Sequence, residues 1–88
     1  MSSYFKSVED AKSYVASMSN VPVSKFKKDP SRISKWYNSP ADNESEKQHG
    51  FRFTDSKLNR DVIFVCTPFR GGVDIWFISP ETGAAMRI

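Results

Sequence analysis

The sequence predicts an α+β domain: two N-terminal helices packed on one face of a three- to four-stranded antiparallel β-meander. Three observations carry this. Apolar residues in the first third of the chain recur at helical spacing, whereas from Gly50 onward they alternate or run together as strands do. Between Val62 and Ile78, two runs rich in β-branched and aromatic residues flank the pair Gly71-Gly72, which signals a hairpin. No other stretch is both long and apolar enough to found a core.

Tyr4 and Phe5 read as a short strand or a lead-in. Ser7 is placed to cap a helix, with Asp10 three residues on, and Glu9 and Asp10 suit the positive end of its dipole. Val8, Ala11, Val15 and Met18, with Tyr14 beside them, form one stripe over roughly three turns, and Ser19-Asn20-Val21-Pro22 ends it. Val21–Phe26 is either a short extended piece or the start of a helix after Pro22. Asp29-Pro30 is a firmer start signal, a capping residue followed by proline at the first helical position. Ile33, Trp36 and Tyr37 then share a face, which predicts a second helix from about Pro30 to Tyr37.

Asn38 to His49 is polar throughout and has no apolar period, so it is expected to be a surface loop. Asp42, Glu44 and Glu46 in it are candidates to fold back over basic residues. Phe51-Arg52-Phe53 alternates as a strand, Asp55–Arg60 turns, and the hairpin follows. Ser79-Pro80-Glu81-Thr82-Gly83 is a tight turn, and Ala84–Ile88 returns as a final edge strand. In the last hairpin strand Val73, Ile75 and Phe77 are ready for the helices. Asp74, Trp76 and Ile78 point the other way, towards the long loop, a second subunit or a ligand.

With 88 residues the chain is a single domain, 1–88, with a helical part at about 7–37, the loop at about 38–49 and the meander at about 50–88. A domain this small leaves much of its surface in water, and a homodimer would hide more of it. One cysteine, Cys66, excludes an internal disulfide and points to a reducing compartment. The N-terminus lacks an apolar signal core and no run approaches membrane-spanning length, so a soluble cytoplasmic protein is expected, without membrane contact.

Little in the sequence offers catalysis. His49 is the one histidine and sits in polar sequence. Cys66 lies inside an apolar run, which suits a core thiol. Paired zinc ligands are absent, Gly71-Gly72 joins strands rather than opening a helix, and acidic residues are scattered singly. No metal, cofactor or enzymatic activity is therefore expected. The small bacterial toxin ribonucleases work without histidine on compact α+β folds; the mixture of basic and aromatic residues is compatible with theirs, but the helix-first order differs.

Charge distribution is more informative. The net charge is +3, and residues 25–35 hold five of the 13 Lys and Arg but one of the 10 Asp and Glu. Lys25, Lys27, Lys28, Arg32 and Lys35 thus form a basic cluster before and on the second helix. Such a cluster attracts phosphates whatever the base sequence. Trp36 and Tyr37 at its end are candidates to stack bases, or else belong to the core beside Ile33. Arg70, at the hairpin tip, is a further phosphate contact, and Lys57 and Arg60 near strand ends would extend the patch if they share its face. The expected function is non-enzymatic binding of nucleic acid, RNA in preference to DNA because no helix reads as a recognition helix. In size and texture the chain also resembles the small accessory proteins of large tailed phages. That resemblance implies an inhibitor or adaptor of a host protein, such as a defence enzyme of the toxin ribonuclease kind, with RNA as a bridge; it assigns no residue.

Overall fold

The structure, a computed structural model, describes residues 4–31 and 48–87. Within them one α-helix packs on one face of an antiparallel sheet. The order is β1 (Tyr4–Phe5), α1 (Val8–Ser19), a 3₁₀ turn (Val23–Lys25), β2 (Lys27–Asp29), β3 (His49–Asp55), β4 (Arg60–Phe69), β5 (Gly72–Ile78) and β6 (Ala85–Arg87). Strands neighbour one another as β1-β5-β4-β3-β2, and β6 pairs with β5 as well. β1 takes positions 73–74 of β5 and β6 takes 76–78, so the two share one edge.

The α+β class and the antiparallel meander from β3 to β6 are as expected. The sheet is wider than three or four strands, because β1 and β2 add to its two edges. Strands of two or three residues are too short to show a period; only their distant partners define them. Lys27–Asp29, read as the approach to a helix, is one of these strands. Pro30 and Ser31 are not helical, and positions 32–37 of the expected second helix, with 38–47 of the expected loop, lie outside the described residues. Among the described residues α1 is the single α-helix.

Helix α1 forms as its sequence dictates. The Ser7 hydroxyl oxygen accepts the Asp10 backbone N–H at 3.1 Å, and Glu9 and Asp10 occupy the first turn. Asn20 ends the helix in the left-handed region at φ 56°, a conformation asparagine tolerates well. Ala11 and Val15 are fully buried, with Val8 packed beside them. Met18, expected to continue the stripe, is 53% exposed, so the last turn adds little to the core.

The β4–β5 hairpin turns on Arg70 and Gly71, with φ of 48° and 82°, between the paired residues Phe69 and Gly72. Two successive positive φ values define the turn whose twist matches a right-twisted hairpin. Gly72 is needed for a different reason. It lies within β5, where a Cβ would collide with the Phe5 carbonyl oxygen and the Tyr4 ring as β1 passes alongside. The β3–β4 turn is held by Asp55 Oδ1, which accepts the backbone N–H groups of Lys57 and Leu58. Ser79–Gly83 closes the next turn, with Gly83 at φ 75° donating its N–H to the Ser79 carbonyl.

Register sorts the side chains. Val73 and Ile75 face α1 together with Phe51, Phe53, Phe64 and Cys66, and these buried residues form the core, with Phe77 half-buried against it. Phe26, from the link after the 3₁₀ turn, stacks on Phe53 with centroids 4.9 Å apart and meets Phe64 edge-on at 5.3 Å. Fully burying a side chain such as Phe64 contributes roughly 1.5–3 kcal/mol. On the opposite face Val65, Thr67 and Asp74 are also fully buried, while Trp76 and Ile78 are half-buried. The middle of that face is thus buried within the chain itself. Asp74 there meets the Arg87 guanidinium of β6 at 3.2 Å. Among the described residues no helix is long and apolar enough to cross a membrane.

Candidate nucleic-acid interface

Lys25, Lys27 and Lys28 keep the exposure expected of them, but the strand divides them. Successive residues of a strand point to opposite faces. Lys28 is paired with Phe51 and so shares the helix side of the sheet, where the Lys12 ammonium lies 4.8 Å from the Phe51 ring centroid. Lys27 is paired with Arg52 on the other side. Lys25, at the end of the 3₁₀ turn, rejoins Lys27 and Arg52. These three cations line a cleft of about 210 Å³ with Phe53, Thr54 and Asp61.

Among the described residues Asp61 is the one carboxylate lining that cleft, and its Oδ1 accepts the Thr54 hydroxyl at 2.9 Å. The ion pairs among the described residues join Lys12 to Glu9 and Arg87 to Asp74. Lys25, Lys27 and Arg52 take part in neither. Asp29 lies beyond Lys27 on the same face, and its Oδ1 accepts both the backbone N–H of Ser31, at 2.9 Å, and the Ser31 hydroxyl. The Ser31 hydroxyl is the main reason its carboxyl is held below the ordinary 3.8; the Ser31 amide and the Arg52 charge add to this, and burial opposes it. The Asp29 carboxylate is therefore engaged locally and only tempers the field of Arg52. Gly50, opposite Asp29, lets β2 lie tight on β3, because a Cβ there would collide with the Asp29 carbonyl oxygen.

The remaining expected site residues separate. Arg32, Lys35, Trp36 and Tyr37 lie outside the described residues. Arg70 is exposed at the β4–β5 tip, at the other end of β4 from Asp61, and so stands apart from the cleft. Its guanidinium carbon sits 5.1 Å from the Phe69 ring centroid, that of Arg87 sits 5.4 Å from the same centroid, and the Arg70 carbonyl accepts the Tyr4 hydroxyl at 3.1 Å. Lys57 lies in the β3–β4 turn and Arg60 at the start of β4. Arg52 is the cleft residue that sequence reasoning missed. Its alternation between Phe51 and Phe53 places it on the face away from the core, but only the β2–β3 register sets it beside Lys27.

Other reactive groups are placed conservatively. His49 is exposed at the start of β3, paired with Cys66. Burial pushes the Cys66 thiol up to about 12, with the Lys12 charge opposing only in part. Such a thiol is not a nucleophile at neutral pH. No group of three His, Cys, Asp or Glu among the described residues is placed to hold a metal ion. No family model, curated protein or solved structure matches the chain.

Proposed function

We propose that the chain binds single-stranded RNA without cleaving it, gripping the phosphate backbone in the cleft of Lys25, Lys27 and Arg52. The observation that supports this is the convergence of three cations around one concave surface which, among the described residues, holds a single carboxylate and no ion pair to them. Lys28 extends the positive edge around β2 to the other side of the sheet. Contacts of this kind position a strand and carry no sequence information, so base preference is weak. The small volume of the cleft, about 210 Å³, suits contact with a single backbone. Three phosphate contacts on a single strand correspond to a slope of about −2 in log K against log salt.

Fluorescence anisotropy with a labelled oligouridylate tests the reading. Binding should weaken at least tenfold in the double variant Lys27→Glu, Arg52→Glu, and should barely change in Lys57→Glu, which lies outside the cleft. Equal affinities for all three proteins would refute it, as would tighter binding to duplex DNA.

A further inference from the structure

At the end of the sheet formed by the β3–β4 and β5–β6 turns lies a second concavity, of about 480 Å³ and different character. Leu58, Val62, Phe77, Ile78 and Met86 supply an apolar floor and rim. Two of these are unusually open for large apolar side chains, Leu58 at 56% and Met86 at 71% exposure. Exposed apolar residues gathered round one groove mark a contact surface more often than singly scattered ones do. Methionine adds a flexible, polarisable side chain that adapts to its partner.

The charges around the groove are the reverse of those in the RNA cleft. Asp55, Glu81 and Asp61, the last shared with the cleft, line it with Arg60 as the single cation among the described residues. An acidic rim repels a polyanion and favours a cationic partner. β6 also ends at this corner, where among the described residues it pairs with β5 alone.

We propose that this groove is a protein-docking site for an extended, basic segment of a partner protein, one that carries a large apolar side chain flanked by lysine or arginine. The apolar side chain sits against Val62 and Phe77 on the helix side of the sheet, the flanking cations meet Asp55 and Glu81, and Met86 closes over the anchor. This site does not depend on the RNA reading. Together the two would make the chain an adaptor, with a cationic surface for one partner and an acid-rimmed groove for another.

Panning a random peptide library displayed on filamentous phage against the immobilised full chain tests the proposal. Enriched peptides should combine a large apolar residue with flanking Lys or Arg. A synthetic peptide of that consensus should bind at least tenfold more weakly to Leu58→Glu and to Met86→Glu, and several-fold more weakly to Glu81→Lys. Lys27→Glu should not weaken it. All four positions are exposed, so the variants keep the fold; circular dichroism verifies this. Peptides without basic residues, or binding that survives both Leu58→Glu and Met86→Glu, would overturn the proposal. Concentration-dependent dimerisation in sedimentation, abolished by Met86→Glu, would assign the groove to a second copy of the chain and overturn it equally.

Discussion

Lys27 stands directly opposite Arg52 across the β2–β3 pair, and neither forms an ion pair among the described residues. Like charges directly opposite in a sheet disfavour folding, by roughly 0.2–1 kcal/mol on the scale of cross-strand pairs. A surface shaped by stability alone would place a carboxylate at one of the two positions. Lys27→Thr should therefore raise the thermal midpoint at low salt while weakening RNA binding. The gain in midpoint should shrink in molar salt, where the repulsion is screened. Thermal unfolding followed by circular dichroism at two salt concentrations checks both.

Gly50→Ala should lower stability and RNA affinity together. The added methyl meets the carbonyl oxygens of Asp29 and Ser31, so β2 must shift off β3 and carry Lys27 away from Arg52. Overpacking of this kind costs about 1–3 kcal/mol. Urea unfolding and anisotropy measured on one preparation would show the two losses together, in contrast to Lys27→Thr, for which they have opposite signs.

Arg70→Asn should stabilise the protein. Arg70 occupies the first of two positive-φ positions in the β4–β5 turn, at φ 48°. Asparagine followed by glycine is the pair this turn favours, and relief of an unfavourable backbone conformation is worth about 1 kcal/mol. Loss of the guanidinium from above Phe69 offsets part of this. A higher urea midpoint with an unchanged m-value is the expected result.

Asp29 gives the acid side of the stability profile. Its carboxyl is held below the ordinary 3.8 in the folded chain, principally by the Ser31 hydroxyl. A lowered folded value means that the extra stability is present above the unfolded value and is lost as pH falls through the folded one. Ser31→Ala removes the principal cause. The Asp29 titration, followed by NMR, should move up towards 3.8, and the loss of stability on acidification should become shallower. The group is partly exposed, so the change in stability is small.

What could be read from the sequence follows from how local its cause is. The Ser7 cap, the Ala11–Val15 stripe and the β4–β5 hairpin depend on neighbours a few residues away, and each was legible. Strands β1 and β2 are too short to carry a pattern, and they exist through partners more than twenty residues distant in Asp74 and Arg52. The same distance hid the cleft. The cationic richness of Lys25–Lys28 was visible in the sequence, but which lysine faces which side required the register. Arg52 looked like the polar member of a strand until that register set it opposite Lys27. The acid-rimmed groove is less local still, since its rim joins two turns that only the sheet brings together.

The most direct measurement of the central claim is the salt dependence of oligouridylate binding for the wild-type chain and for Arg52→Gln. The wild-type slope of log K against log salt should be about −2, and the variant should lose about 0.7 of it, one contact on a single strand. An unchanged slope in Arg52→Gln would contradict the account, because it would place the phosphates somewhere other than beside Lys27.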